Sequence, residues 1–150
     1  MFSRDFIAGW SDMDFNAHMR NTAYLDRAAD VRLAFFAEHG FPASEFARLR
    51  LGPVVMKDEV EYFREVGLLE PFSVAFELAG LSADGSRFIL RNTALRADGK
   101  RLARVTSTGG WLDLEARKLV VPPPALLEVL RQVDRAPDYA ELASSVAGGA

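Results

Sequence analysis

Cysteine is absent from this 150-residue sequence, which excludes disulfides, thiolate zinc sites and cysteine nucleophiles. Histidine occurs only at His18 and His39, too few for a metal site built on several histidines. No basic surplus is present: 18 Lys and Arg stand against 21 Asp and Glu, a net charge of −3, which argues against nucleic-acid binding. No segment approaches the roughly 18 consecutive apolar residues of a membrane span, and Asp5 interrupts any secretory signal. We therefore expect a soluble, cytoplasmic protein.

The hydrophobic pattern between Thr22 and Gly40 has a helical period. Gly40, with Pro42 two residues later, is a typical helix stop. Because the apolar face of this helix is wide, we expect it to be buried on most of its circumference. Its two apolar stripes are Tyr24, Ala28, Val31 and Phe35, and Leu25, Ala29, Leu33 and Phe36.

The period changes to two after the helix, which predicts strands over residues 54–62 and 72–78. Asp-Gly pairs at Asp84 and Asp98 predict hairpin turns joining strands over 87–96 and 101–112. We expect a first strand within Phe6–Trp10 and a short helix over Ala125–Val133. The order predicts an α+β fold in which the long helix covers one face of an antiparallel sheet. We divide the chain into a domain over residues 1–135 and a frayed tail over 136–150.

Reactive side chains are densest between Ser11 and Asn21, just before the long helix. The free N–H groups at a helix start favour a developing negative oxygen, and a nearby carboxylate can act as a base or nucleophile on a carbonyl. A calcium loop is disfavoured because its sixth and twelfth positions are Ala17 and Ala23. The purely structural alternative makes Asp14 and Asn16 turn formers, Asn21 a helix N-cap and His18 an exposed loop residue.

Residues 10–25, WSDMDFNAHMRNTAYL, resemble the signature of hotdog-fold acyl-CoA thioesterases of the 4-hydroxybenzoyl-CoA thioesterase type. Acyl-acyl-carrier-protein thioesterases carry a similar Asp-x-Asn-x-His pattern. The resemblance extends over about residues 4–130. It implies a hotdog fold, a five-stranded antiparallel sheet wrapped around the Thr22–His39 helix.

The resemblance also implies the roles of individual residues. Asp14 is the catalytic carboxylate, which either attacks the thioester carbon or activates water. Asn16 and His18 orient the attacking group, and a backbone N–H near Asn21 polarises the carbonyl. The chain departs from the family pattern at Arg20, and it lacks the glycine that benzoyl-type members place two or three residues after the aspartate.

The function implied by the resemblance is hydrolysis of an acyl-CoA thioester to free acid and coenzyme A. No metal or redox cofactor is expected, since coenzyme A enters as part of the substrate. The active sites of the family form between subunits, so we expect a homodimer or homotetramer. The candidate substrate-binding residues are Asn21, Tyr24 and Arg20, together with Thr108 in the last long predicted strand.

Two other functions are compatible with the same sequence. One is a non-catalytic module that binds acyl-CoA or acyl-carrier protein. The other is a hotdog enoyl-CoA hydratase, which is disfavoured because His18 comes one residue early and the proline of that motif is missing.

Four further expectations depend on neighbours that the sequence does not show. Asp12 and Asp14 are close enough to raise each other's pKa if both face the same side. Gly109 and Gly110 indicate either a strand irregularity or a close ligand approach, with the irregularity favoured. An apolar acyl pocket could be lined by Phe15, Met19, Phe63 and Trp111. The basic residues near the hairpins either bind coenzyme A phosphates or lie on a solvated sheet face; they are Arg87, Arg91, Arg96, Lys100, Arg101 and Arg104.

Overall fold

The computed structural model describes residues 1–146. It contains three α-helices, α1 (Ala23–Glu38), α2 (Ala43–Leu49) and α3 (Pro124–Arg131), and a 3₁₀ turn over Trp10–Asp12. Its seven strands are β1 (Ser3–Ile7), β2 (Leu51–Tyr62), β3 (Pro71–Ser82), β4 (Arg87–Leu95), β5 (Arg101–Asp113), β6 (Lys118–Val120) and β7 (Arg135–Leu142).

Five strands form one antiparallel sheet in the order β1-β3-β4-β5-β2. The two predicted Asp-Gly turns connect β3 to β4 and β4 to β5, and Gly85 and Gly99 take the positive φ angles of 78° and 84° that glycine permits. Helix α1 packs against β3 and β5 across the sheet. The α+β fold and the hotdog arrangement expected from the sequence are therefore confirmed.

Two short strands extend the five-stranded sheet. Strand β6 pairs with the end of β5, and β7 lies parallel to the second half of β3, in line with β1 on the same edge. The sequence analysis expects a frayed tail from residue 136, but Arg135–Leu142 are a strand. Backbone pairing with a free sheet edge holds this segment, and such pairing leaves little trace in side-chain pattern. The last part of the predicted tail, residues 147–150, lies outside the described residues.

Helix α1 buries one face rather than most of its circumference. Ala28, Val31 and Phe35 are buried against the sheet, whereas Ala29 is exposed and Leu33 is 54% exposed. Of the second apolar stripe, Ala29 and Leu33 therefore face outward in the single chain, whereas Phe36 is buried and Leu25 is partly buried. Among the described residues, no helix has the length and apolar character needed to cross a membrane.

Candidate active site

The loop between β1 and α1 is held in place by backbone hydrogen bonds. Met13 and Met19 form an isolated antiparallel bridge, and His18 forms another with Gly67 in the β2–β3 connection. The Met19 N–H also donates to the Val66 carbonyl over 2.7 Å. The loop is thus anchored against residues about fifty positions away, which sets its orientation relative to the start of α1.

Asp14 lies at the tip of this loop with its side chain exposed. Its Oδ1 accepts hydrogen bonds from the backbone N–H of Asn16 at 2.8 Å and of His18 at 3.3 Å. This is the turn-forming geometry of the structural alternative. It also fixes the orientation of the carboxylate, whose Oδ2 has no hydrogen-bond partner among residues 1–146. Asp14 is therefore both a turn former and an available base.

The missing family glycine has a structural counterpart at Ala17. Ala17 lies three residues after Asp14 and has φ 61°, in the left-handed region that favours glycine. The loop therefore keeps the backbone bend without the glycine.

His18 has a partner that the sequence analysis missed. Its Nε2 lies 3.0 Å from Oε2 of Glu65, just beyond the end of β2. Glu65 is 47 residues away in the chain, so no local motif links the two. The structure thus assembles two carboxylates and an imidazole around one opening.

These groups line a cavity of about 300 Å³. Asp14, Asn16, His18, Asn21 and Tyr24, five of the seven predicted site residues, meet there. Met19 completes their side, and the other wall comes from the end of β2 and the residues after it: Tyr62, Phe63, Arg64 and Glu65.

Arg20 and Thr108, the other two predicted substrate-binding residues, do not line this cavity. The Arg20 guanidinium bonds to the Ser11 carbonyl, to the Thr22 hydroxyl and to Asp26. Thr108 lies on the face of β5 opposite to the buried Ser107, and its side chain therefore points away from α1.

Asn21, two residues before α1, brings the start of the helix to the edge of the cavity. The N-cap is Thr22, not Asn21 as the structural alternative expects. Within the described part of the chain, the N–H groups of Asn21 and Thr22 donate no hydrogen bond. The Asn21 carbonyl accepts a hydrogen bond from the Tyr62 hydroxyl over 3.1 Å, which ties the helix start to β2. Two unsatisfied amides at a helix start suit a carbonyl oxygen that gains negative charge.

Tyr24 forms the inner wall of the cavity, one helical turn after Asn21. It is 6% exposed, and its ring meets the Tyr62 ring edge-on with centroids 5.5 Å apart. Burial, with smaller contributions from Tyr62 and the nearby carboxylates, raises the pKa of Tyr24 to about 12. Its hydroxyl therefore stays protonated at neutral pH.

Asp12 lies in a different environment from Asp14. Its carboxylate is buried and accepts hydrogen bonds from Nη2 of Arg27 at 3.0 and 3.1 Å and from the Gly9 N–H at 2.8 Å. Burial alone would raise the pKa of Asp12, but the bonds from Gly9 and Arg27 outweigh it and lower that pKa. The expectation that the two aspartates raise each other's pKa is therefore wrong for Asp12.

The expected apolar pocket does not form from its four candidates. Phe63 lines the cavity, Met19 contributes although it is largely buried, Phe15 is fully exposed, and Trp111 lies in the core. All six basic residues have partners within the chain. Arg101 lies over the Phe63 ring, and the other five pair with polar side chains: Arg87 with Ser145, Arg91 with Asp138, Arg96 with Glu70, Lys100 with Asp98 and Arg104 with Glu61.

The glycines of β5 lie beside neighbouring backbone. A Cβ on Gly109 would lie 2.2 Å from the Val54 carbonyl oxygen, and one on Gly110 would lie 2.6 Å from the Ser86 carbonyl oxygen. The register between β2 and β5 shifts between Val55 and Lys57, opposite Gly109. The favoured interpretation, a strand irregularity rather than a close ligand approach, is thus confirmed, and the irregularity lies on β2, the strand paired with β5.

Two larger cavities lie elsewhere among the described residues. One of about 470 Å³ lies at the ends of β1 and β3, away from Asp14, and Asp5 is its only titratable residue. The other, of about 330 Å³, lies on the far side of Asp14 and is mainly apolar, with Trp10, Phe15 and Leu68 in its lining. Neither brings reactive side chains together as the 300 Å³ cavity does. The described residues contain no group of three or more His, Asp or Glu suited to holding a metal ion.

The chain belongs to the thioesterase-like superfamily, whose family model matches residues 8–130. Among curated proteins, no sequence matches this chain.

Solved structures of low sequence identity share its hotdog fold. A hypothetical protein from Staphylococcus aureus, solved in complex with CoA, is 18% identical with a TM-score of 0.82, over 93% of this chain and 89% of its own. A 1,4-dihydroxy-2-naphthoyl-CoA thioesterase from Synechocystis is 13% identical with a TM-score of 0.78, over 90% and 98%. A gentisyl-coenzyme A thioesterase is 16% identical with a TM-score of 0.76, over 85% and 98%.

Proposed function

We propose that this protein hydrolyses an acyl-CoA thioester to the free acid and coenzyme A. The observation that carries the proposal is the cavity that the Asp14 carboxylate shares with Asn21, at the start of α1, whose backbone N–H donates no hydrogen bond among residues 1–146. This arrangement offers a base or nucleophile and an oxyanion-binding site for the same carbonyl group. The CoA complex of one structural neighbour and the aryl-CoA thioesterase activity in the names of two others support this substrate class.

Asp14 performs the attack in one of two ways. As a general base, it takes a proton from water while the water oxygen bonds to the thioester carbon. As a nucleophile, Oδ2 bonds to that carbon and forms a mixed anhydride, which water then hydrolyses. In both routes the C–S bond breaks, and the thiolate of coenzyme A leaves and takes up a proton. A single turnover in ¹⁸O-water detects the nucleophilic route when water attacks the aspartyl carbon of the anhydride, because only that attack places ¹⁸O in the Asp14 side chain. Trapping the anhydride with hydroxylamine detects the same route when water attacks the acyl carbon.

The remaining residues of the cavity orient the reacting groups. The Asn21 and Thr22 amides bind the carbonyl oxygen as it gains charge. The backbone of Asn16 and His18 holds Asp14. Glu65 holds the His18 imidazole at the opposite side of the opening. Asn21 and Tyr24 contact the substrate, and Arg64, which lines the same cavity, supplies positive charge for the coenzyme.

We also propose a homodimer formed through β2. This strand has 12 residues, pairs only with β5 within the described chain, and leaves its outer edge open. A long open edge is a ready template for another strand. Val55, Met56 and Tyr62 are exposed along it. A second copy there would also stand beside the cavity, since Tyr62 lines it.

Release of free thiol from a panel of acyl-CoAs, followed with a disulfide dye, tests the proposal. We expect hydrolysis of at least one member at a rate that chelators do not change. Tight binding of acyl-CoA without thiol release across the panel would instead identify a binding module. The expected cytoplasmic location remains a prediction.

A further inference from the structure

Behind Tyr24, a second and much smaller cavity lies between α1 and the sheet. Its volume is about 10 Å³, about the space of one water molecule and too small for an acyl group. Tyr24 and Arg27 line it from α1. The strands contribute the buried polar side chain of Asn92 and four small apolar side chains: Val74, Ala94, Ala103 and Val105.

Tyr24 belongs to the lining of both cavities. Its phenol ring is thus the wall between the candidate active site and the space under the helix. The ring is buried and braced by Tyr62, so it is held in this closed position.

The geometry of the proposed reaction directs the acyl group toward this wall. If the thioester carbonyl binds the amides at Asn21 and Thr22, the coenzyme extends to solvent and the acyl group points inward. Tyr24, in the first turn of α1, lines the candidate site together with Asn21 and also lines the inner cavity, so its side chain lies between the two. Beyond it, the small apolar side chains would otherwise admit a chain between α1 and the sheet.

We propose that Tyr24 is a specificity-determining residue that limits the acyl group to a short chain or a single ring. This inference rests on the proposed function. The wild-type enzyme accepts acyl groups that end at the phenol ring, and the space under α1 is reached only when that ring is removed. Each methylene that then enters an apolar site is worth roughly fourfold in binding.

The test compares kcat/KM for acetyl-, butanoyl-, benzoyl-, octanoyl- and dodecanoyl-CoA. Wild type should favour butanoyl- or benzoyl-CoA over dodecanoyl-CoA. Tyr24→Phe, which keeps the ring, should preserve the wild-type order. Tyr24→Ala should raise the octanoyl-to-butanoyl ratio at least about tenfold, for two or more newly buried methylenes. Ala103→Val in the Tyr24→Ala background should reverse that gain, because it refills the inner cavity.

Phe15→Ala is the matched control, since Phe15 lines the apolar cavity on the other side of Asp14. It should leave the order of chain lengths unchanged. If the chain-length order changes in Phe15→Ala but not in Tyr24→Ala, the acyl group binds in that other cavity, and the proposal is overturned. A wild-type preference for dodecanoyl-CoA would overturn it as well.

Two further measurements keep the test decisive. If Tyr24→Ala does not fold, Tyr24→Leu opens the same wall while retaining apolar contact, and an unchanged chain-length order in folded Tyr24→Leu overturns the proposal. Calorimetric binding of non-hydrolysable thioether analogues of the same chain lengths separates this inference from the proposed function. Absence of thiol release then counts against hydrolysis, whereas the dependence of Kd on chain length still tests Tyr24.

Discussion

Asp12 and Asp14 are separated only by Met13, yet their surroundings assign them opposite tasks. Asp12 is 5% exposed and paired with Arg27, so its charge is already neutralised inside the fold. Asp14 is exposed, with one oxygen held by backbone amides and the other available to a substrate. The difference follows from position: Asp12 ends the 3₁₀ turn and faces α1, whereas Asp14 is at the loop tip.

Asp14→Asn should lower kcat by a factor on the order of 10², about 3 kcal/mol of transition-state stabilisation, because it removes the charge and basicity but keeps the shape. KM and the melting temperature should change little, since Asn can accept the same two backbone hydrogen bonds. Steady-state kinetics and thermal melts check this.

Asp12→Asn is the matched control. It removes the buried carboxylate partner of Arg27 and leaves only the exposed Asp30 at 3.4 Å, so the free energy of unfolding should fall by on the order of 3 kcal/mol. If Asp14→Asn keeps a near-wild-type kcat while folded Asp12→Asn loses activity, then Asp14 is not the catalytic carboxylate and Asp12 is not merely structural.

His18 and Glu65 act as a pair at the other side of the opening. His18→Ala and Asn16→Ala should each lower kcat roughly tenfold, because both side chains line the cavity and would orient the attacking group there, and misplacing that group costs less than removing it. Glu65→Gln should cost less than His18→Ala, since the amide can still bond to the imidazole. Glu61→Gln, which affects only the exposed pair with Arg104, is the control and should leave kcat unchanged.

At the scale of elements, the β3–β4 turn holds the end of β7 in place. Asp84 accepts hydrogen bonds from the hydroxyls of Ser82, Ser86 and Ser144. Burial alone would raise the pKa of Asp84, but the bonds from Ser144, Ser86 and Ser82 hold it far below its ordinary value of 3.8. The ionised carboxylate thus links the hairpin to the segment after β7.

Asp84→Asn should therefore destabilise the protein in a pH-dependent way. Because the folded-state pKa is depressed, the stabilisation is fully present above the ordinary value of 3.8 and is lost as the pH falls through the folded-state pKa. The difference in melting temperature between wild type and Asp84→Asn should shrink as the pH falls below about 4. Asp98→Asn, at the other Asp-Gly turn, changes a carboxylate that accepts a single exposed backbone hydrogen bond, and it should show a smaller difference.

Close contact between strands disfavours any side chain at Gly109 in β5. A Cβ there would meet the Val54 carbonyl and the Phe88 ring, at 2.2 and 2.9 Å. Gly109→Ala should lower the free energy of unfolding by about 1–3 kcal/mol, as overpacking does. Gly67→Ala, where a Cβ has nothing within 4 Å, is the control. Urea unfolding of both variants measures the contrast, and equal effects would contradict the packing argument.

For the whole molecule, the exposed surface indicates association. Besides the open edge of β2, large apolar side chains surround the candidate site, among them Trp10, Phe15 and Leu69. Exposed apolar patches on a soluble protein often mark an interaction site. The proposed second subunit would cover these side chains.

Light scattering should therefore give at least twice the 16.6 kDa mass of one chain. Replacing both Val55 and Met56 with lysine should shift the mass toward that of the monomer and lower activity, because charge on the edge opposes strand pairing. Val121→Lys, at an exposed apolar residue outside β2, is the control and should change neither the mass nor the activity. A monomeric wild type at working concentration contradicts the proposed dimer.

The sequence by itself determined the parts of this protein that depend on local chemistry. The apolar period places α1, the Asp-Gly pairs place the turns around β4, and the loop residues Asp14 to Asn21 mark the site. Each of these signals lies within a few residues of the structure it predicts, so propensity and turn chemistry are sufficient.

Only the tertiary structure decided what depends on distant neighbours. Three contacts join separate segments of the chain: β7 pairs with β3, Glu65 pairs with His18, and Asp12 is buried against Arg27. The outward position of Phe15 likewise depends on how the loop is placed in the fold. Such contacts depend on how the sheet and helix pack, and local sequence does not encode them. The position of Tyr24 between two cavities is likewise a tertiary feature, because a cavity is defined by every element that surrounds it.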